Sequence, residues 1–547
     1  MILSKQKKLI SFLTFIFVML IAQISFAQNE GSEKAKDQSK ISHKINDVFA
    51  PIVEKMGDVL FWDPFSAMGI YDSQVYDKKG NVVVDENGEP VSAPLKLIVV
   101  WLICGALFFT IFMRFINIRG FKHAIGLVRG KYSNPNHKGE VSHFQALATA
   151  LSATVGLGNI ASVAIAISIG GPGATFWMII GGLLGMSSKF TECTLGVKYR
   201  NIDTNGVVSG GPMYYLSKGL AKRNMKGLGQ GLAIIFSILV IGGSIGGGNM
   251  FQANQSLSQF TTVIPAIGNF KVAYGIILAI LVGIVIVGGI KSIARVTEKI
   301  VPFMAVLYVS AALIIIFMNI AHAGDAFKLI WNGAFQADAM KGGLIGVLII
   351  GFQRASFSNE AGVGSAAIAH SAVKTNEPIT EGLVSLLEPF IDTVVICTMT
   401  ALVIIFTGFY NNPAGLEGAQ LTSAAFKSVI PWFPWVLVIA IFLFAFSTMI
   451  SWSYYGLKGF DYLFGSLFEK VFGHRKYMKL TYQLFFLACI VIGASSELGA
   501  VLDFSDMMIL SMAFPNIIGL LIMAPEVKRD LSDYLSRVKS GAIKKYK

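Results

Sequence analysis

Residues 148–173 read ATALSATVGLGNIASVAIAISIGGPG, an apolar run long enough to cross a bilayer that carries Gly156, Gly158 and Asn159 at its middle. Close helix packing in lipid uses small residues four apart. Gly156 and Gly158 are two apart, and two residues on a helix are separated by about 200° of rotation, so they cannot line one packing face. Asn159 adds a polar group that needs partners in hydrocarbon. Counted from His143, VGLGN begins about 13 residues in, roughly 20 Å of helical rise and close to mid-bilayer. A break at that depth is tolerated only where it lines a protein cavity. The second half-helix would present unpaired N–H groups and a positive dipole end to a carboxylate, while the freed carbonyls upstream hold a cation. A structural kink is the rival reading.

A second run, residues 344–370, reads LIGVLIIGFQRASFSNEAGVGSAAIAH. Ser356, Ser358, Asn359, Glu360, Gly362 and Gly364 interrupt it about midway. Two interrupted apolar segments at corresponding places in two halves of a chain point to a transporter binding site. By contrast IGGSIGGGNM, residues 241–250, sets Gly242/Gly246 and Gly243/Gly247 at packing spacing, which reads as close helix contact.

The surrounding chain supports that frame. Of its 547 residues 54% are hydrophobic and 14% charged, with a mean hydropathy of +0.63, the composition of an all-α polytopic membrane protein. Residues 1–27 read as a signal peptide, with Lys5, Lys7 and Lys8, an apolar core and Ser25-Phe26-Ala27 before the cut; an uncleaved signal anchor is the alternative. Residues 28–94 form an exported segment in which YDKKGNVVVDENGEPV, 76–91, suggests a hairpin. Apolar spans then begin near Leu95, Phe144, Ala174, Gly231, Ala273, Ile300, Gly342, Gly382, Trp435, Thr481 and Val501, about eleven transmembrane helices. The formal charge of +13 lies mostly in alternate loops, those after spans 1, 3, 5 and 9. That makes those loops cytoplasmic and argues against a nucleic-acid surface. The N-terminus is then outside and the basic tail, 524–547, inside. Spans 2 to 6 (143–320) and 7 to 11 (342–523) become two five-helix units of opposite topology, with 95–117 an extra first helix. The four cysteines, Cys104, Cys193, Cys397 and Cys489, sit in or beside spans and suggest neither disulfides nor a metal cluster.

The quoted stretches, with GGPMYYLSKGL at 210–220, resemble the signature segments of the alanine or glycine:cation symporters, sodium-coupled carriers of small neutral amino acids. The likeness covers about residues 95 to 525. It implies a leucine-transporter-like fold of inverted five-helix repeats, with substrate between spans 2 and 7 and side chains of spans 4 and 9. The matching positions are Thr154, Gly156, Leu157, Gly158 and Asn159, Gln252 in NMFQANQS, Ser356, Asn359 and Gly362, and Trp452 in STMISWSYYG. VGLGN is also similar to the corresponding string of neurotransmitter:sodium symporters, which supports a carboxylate role for the Leu157 and Gly158 N–H groups. For sodium (Na+), the resemblance sets a hydroxyl pair of span 9, here Ser447 and Thr448, opposite Ser152 and Val155 of span 2. In the competing reading these hydroxyls bond carbonyls of their own helix.

Other charges have quieter explanations. Lys189 and Glu192, three apart, read as an intrahelical pair. Arg354 has candidate partners in Glu360, Glu388 and Asp392, among which the sequence does not choose, and such acids leave proton coupling open. The histidines show no metal-ligand spacing and read as structural or solvated. Nucleotide-binding motifs and catalytic pairs are missing. The expectation is a secondary active symporter of a bacterial inner membrane, importing alanine or glycine with sodium. Proton coupling, a channel and a membrane-embedded enzyme are its rivals. Membrane lipids are the other expected contact, and oligomeric state is unreadable.

Overall fold

The structure is a computed structural model that describes residues 61–69 and 94–546, apart from 135–136, 205, 336–342, 412–414 and 417, together with residues 51, 55, 57 and 82. The signal peptide and the 76–91 hairpin fall outside this description, save Val82.

Helices stand at all eleven places read from the sequence. The first is Leu97–Phe112. The second is interrupted, His143–Thr154 and then Leu157–Gly170 after a bend of 56°. Ala174–Lys198 follows, then Lys226–Val263, Pro265–Ile286 and Gly289–Met318. The seventh is again interrupted, Gly343–Asn359 and Ala366–His370. Pro378–Phe406, Phe433–Phe472, Lys476–Ser495 and Leu498–Lys539 complete the series. Among the described residues seven helices are long and apolar enough to cross a membrane, and eight when the bent pair counts as one. Several helices run past their apolar stretches. Span 9 continues through Lys470 and ends where Gly473 takes φ 75°, a left-handed cap that suits glycine.

The two interruptions have different local causes. In span 2, Ser142 starts the helix with a capping box to Gln145; the chain leaves the helix at Val155 and makes a 3-10 turn over Leu157–Asn159. In span 7 the helix ends at Asn359, and Glu360, Gly362 and Gly364 take φ of 55°, 85° and 95°. That run of left-handed residues cannot continue a right-handed helix. Two further helices carry π turns, Gly246–Met250 in span 4 and Phe390–Cys397 in span 8, a local widening that often accompanies functional sites.

Glycines set how closely these helices approach. A Cβ on Gly242, Gly243, Gly246 or Gly247 would meet Met508, Ile509 or Phe504 of span 11 at 2.3, 3.3, 3.0 and 2.2 Å respectively. The outer faces are apolar: Ile276, Ile280 and Ile284, four apart on span 5, are all exposed, as lipid contact requires. At the end bearing the basic loops, Glu140 and Lys374 exchange backbone hydrogen bonds with Ala372 and Val141 at 2.8 Å, which joins the approach to span 2 to the end of span 7. Arg200 donates to the carbonyls of Ser371, Val373, Thr375 and Lys138 at 2.5–3.1 Å and holds the same region.

Candidate functional site

The two interruptions meet. Asn159, the last residue of the 3-10 turn, is fully buried; its amide nitrogen donates to Ser358 Oγ at 3.1 Å and to Asp392 Oδ1 at 2.6 Å. Asp392 Oδ2 accepts from Ser358 Oγ at 2.8 Å and from Thr393 Oγ1 at 2.7 Å. Thr393 in turn accepts from Asn359 at 2.9 Å, whose own oxygen caps the Ala361 N–H at 2.9 Å. One carboxylate on the π turn of span 8 thus gathers neutral donors from both broken helices. The freed backbone of the break is also answered: Thr400 Oγ1 donates to Asn159 O at 2.8 Å and Thr422 Oγ1 to Ile160 O at 3.1 Å.

The N–H groups of the break are directed at oxygens. Gly156 N–H donates to Asn159 Oδ1 at 2.9 Å, and Leu157 N–H donates to Gln252 Oε1 at 3.2 Å. Gln252 is itself fixed by a 2.8 Å bond to Gly247 O, across the π turn of span 4. A Cβ on Gly156 would lie 2.4 Å from Thr448 Oγ1 and 3.2 Å from Gln252 Oε1, whereas one on Gly158 would lie 3.5 Å from Ser358 Cα. Gly156 is therefore the point where no side chain fits. Thr154 turns its hydroxyl back to Ala150 O at 3.3 Å.

Upstream of the break, oxygens of spans 2 and 9 interlock. Ser152 Oγ donates to Ser447 O at 2.7 Å, Thr448 Oγ1 to Ser152 O at 2.9 Å, and Ser451 Oγ to Ser152 Oγ at 3.0 Å. The adjacent hydroxyls of Ser447 and Thr448 part company here. Thr448 crosses to span 2, while Ser447 bonds Phe444 O on its own helix at 3.0 Å. Val155 is buried at the end of the first half-helix.

Trp452 is buried and donates from Nε1 to Glu360 Oε1 at 3.1 Å; Ser365 bonds the other oxygen of Glu360. Ser356 is buried on span 7 one turn before Glu360, and its carbonyl accepts Glu360 N–H at 2.9 Å. Gly362 lies farther off, its carbonyl bonded to Asn516 of span 11 at 2.8 Å. Arg354 pairs with Asp506 of span 11, joined by Gln353 at 2.8 Å, and with none of the three acids that the sequence offered. The choice was open because partner helices are not adjacent in sequence. Lys189 contacts Glu192 at 3.9 Å and, more closely, Glu388 at 3.1 Å. His143 and His370 are buried against Glu381 rather than solvated.

Sequence reasoning passed over Thr400, Thr422 and Ser451 as site residues, named Ser358 among the residues that interrupt span 7, and treated Asp392 as a candidate partner of Arg354 and one of the acids that leave proton coupling open. Thr422 belongs to the stretch 411–426, which reads as a loop poor in basic residues; the helix Gly418–Val429 carries it over the break.

Residues 80–547 match the model of the sodium:alanine symporter family. The sodium/alanine symporter AgcS of Methanococcus maripaludis is 42% identical over 428 residues, 78% of this chain and 91% of that protein. The Bacillus subtilis protein named "Probable sodium/glutamine symporter GlnT" is 36% identical over 448 residues, 82% of this chain and 89% of its own. The amino-acid carrier protein AlsT of Bacillus subtilis is 34% identical over 437 residues, 80% of this chain and 88% of that one.

Proposed function

The chain belongs to the sodium:alanine symporter family, and from that premise we propose that it imports a small neutral amino acid, alanine or glycine, together with sodium. It is a multi-pass membrane protein and a cation-coupled amino-acid symporter, not an enzyme. In our reading eleven helices cross a bacterial inner membrane as two inverted repeats, 143–320 and 342–523, after an extra helix at 95–117. A signal peptide at 1–27 and an exported segment at 28–94 lie before them, and the 524–547 tail is cytoplasmic.

The observation that carries the reading is the meeting of two interrupted helices at mid-chain polar groups, Asn159 with Ser358 and Asp392. The substrate carboxylate takes the N–H groups of Leu157 to Asn159. Gln252 Oε1 occupies the Leu157 N–H as a neutral acceptor and yields to the stronger, charged one. Thr154, Gly156, Ser356, Asn359, Gly362 and Trp452 complete the seat. Gly156, pressed between Thr448 and Gln252, favours a ligand with a small side chain. Glutamine, the substrate in a relative's name, is the competing cargo.

Sodium is held by oxygens of Ser152, Val155, Ser447 and Thr448. A second cation position is favoured by Asp392, a buried carboxylate whose hydrogen-bond donors, Asn159, Ser358 and Thr393, are all neutral; a cation there would supply the missing charge. Proton coupling is the alternative to sodium, and a channel the more distant rival. Uptake of labelled alanine, glycine and glutamine into proteoliposomes under separate sodium and proton gradients tests all of this. Sodium-driven, saturable alanine or glycine uptake is expected. Uptake driven only by a proton gradient, or a non-saturating flux, would sink the sodium-symport reading.

A further inference from the structure

Apart from that site, a chain of buried titratable groups runs through four helices. His143, at the start of span 2, bonds one carboxylate oxygen of Glu381 through Nδ1. The other oxygen of Glu381 meets His370 Nδ1 at 2.6 Å, and His370 Nε2 lies 3.4 Å from Glu388 Oε2. Glu388 Oε1 is 3.1 Å from Lys189 Nζ, which lies 3.9 Å from Glu192 Oε1. Glu192 Oε2 accepts from Asn516 at 3.0 Å, beside the interruption of span 7. His370, Glu381, Glu388, Lys189 and Glu192 have no exposed surface, and His143 has 4%.

Two features of this geometry require protons. A neutral imidazole carries one N–H, yet His370 sets both ring nitrogens against carboxylates of different glutamates. With both glutamates ionised and His370 neutral, a nitrogen lone pair would face a carboxylate oxygen. The charges also fail to balance: three carboxylates face one ammonium in a region without solvent, where uncompensated charge is strongly disfavoured. Three further charged groups act on the chain electrically, Glu360, Asp392 and Arg200. Glu360, near Lys189, and Asp392, near Glu388, are acids, and Arg200, near Glu381, is a base, so together they do not relieve the deficit. Tyr455 of span 9, Cys193 of span 3 and Tyr215, bonded to Asn516, face it as uncharged groups. Among the described residues no group of histidine, cysteine or carboxylate side chains is arranged to hold a metal ion.

We propose that this chain is a proton-binding site, with the proton held between Glu381, His370 and Glu388 in the conformation shown. Its release through His143, at the end bearing the basic loops, loosens the contact between the start of span 2 and the end of span 7. The same two segments share the backbone bonds of Glu140 with Ala372 and of Lys374 with Val141. The proton therefore acts where these two segments are joined. The transport consequence rests on the symport reading, whereas the protonation does not.

Histidine-labelled protein in lipid nanodiscs separates the two. The nitrogen NMR spectrum of the wild type minus that of His370→Gln should show His370 as an imidazolium at pH 6 that begins to lose its proton, or changes tautomer, as the pH is raised to 8.5. A single neutral tautomer unchanged over that range would overturn the proposal. In proteoliposomes at saturating sodium, the initial alanine uptake of the wild type should change by at least about threefold when pH is varied at the basic-loop face, as for a histidine titrating in that range. His370→Gln and Glu381→Gln should flatten this profile. Identical profiles in all three would also overturn it. If His370→Gln fails to insert, His143→Gln at the less buried end of the chain must flatten the profile in its place. Absence of uptake by the wild type under any gradient would reject the symport reading and leave the NMR result to decide the proton site.

Discussion

Asn159 and Asp392 lie 233 positions apart in sequence, and the Asn159 amide donates to Asp392 Oδ1 at 2.6 Å, fixing the broken turn of span 2 to the π turn of span 8. The acid has no neighbour of opposite charge among its hydrogen-bond donors. A buried carboxylate so surrounded is either neutral or waiting for a cation.

Asp392→Asn keeps the shape and removes the charge. If a cation is held there, the half-saturating sodium concentration rises at least tenfold, since about 1.4 kcal/mol of lost ion binding is a factor of ten. Alanine affinity at low sodium falls with it, because coupling between two ligands is reciprocal. Unchanged sodium dependence in an inserted protein would leave the Asp392 carboxylate a purely structural acceptor.

The two glycines of the break should behave differently. Gly156→Ala forces a methyl group to within 2.4 Å of Thr448 Oγ1, and uptake should fall at least about tenfold while the protein still reaches the membrane. Gly158→Ala places its methyl at ordinary contact distance, 3.5 Å from Ser358 Cα, and should retain transport within about threefold. Equal loss in both variants would argue that backbone freedom, not space, is what the glycines supply.

Arg354 and Asp506 form a buried pair. Removing Arg354 leaves the buried Asp506 carboxylate without its direct ion-pair partner, with Lys96 the other cation near it, so Arg354→Met should destabilise the protein by about 3 kcal/mol, and Arg354→Met with Asp506→Leu should recover most of that loss. Thermal unfolding in detergent measures both. A double variant no more stable than the single one would contradict the pairing.

The interruptions were legible because they violate local rules: glycines at the wrong spacing for packing, and an asparagine in hydrocarbon. What the sequence hides is whatever depends on rotation or on distant pairing. Gly156 and Gly158 look alike in the string, and only the approach of Thr448 distinguishes them. Asp392 shares an apparent helix face with Glu388, but the π turn at Phe390–Cys397 changes the register between them; one faces the break and the other Lys189. Arg354 found its partner on span 11, more than 150 residues away. His143 and His370 each look isolated until Glu381 is placed between them.

The orientation proposed from the basic loops can be tested directly. Single cysteines at Asn87 and at Lys545, which is exposed, should react with impermeant thiol reagents from opposite faces of the membrane, Asn87 from outside. Labelling of both from one side would mean an even number of crossings between them.

The two adjacent hydroxyls of span 9 should contribute unequally to sodium binding. Sequence alone treats Ser447 and Thr448 as a pair, but they occupy different environments. Thr448 Oγ1 reaches across to Ser152 O at 2.9 Å, within the knot of oxygens upstream of the break. Ser447 Oγ turns to Phe444 O on its own helix, and it is the Ser447 carbonyl that joins the knot, accepting from Ser152. A hydroxyl directed at its own helix contributes little to an ion on the other side, whereas a backbone carbonyl is untouched by side-chain substitution. Thr448→Val should therefore raise the half-saturating sodium concentration by about tenfold or more, while Ser447→Ala changes it by less than about threefold. The double variant should resemble Thr448→Val alone, since only one of the two hydroxyls faces span 2. Sodium titrations of alanine uptake at fixed membrane potential measure all three. Equal effects from the two single variants would mean that Ser447 rotates toward span 2 when the ion binds. Wild-type sodium dependence in the double variant would exclude span 9 side chains as ligands and move the cation to the carboxylate of Asp392.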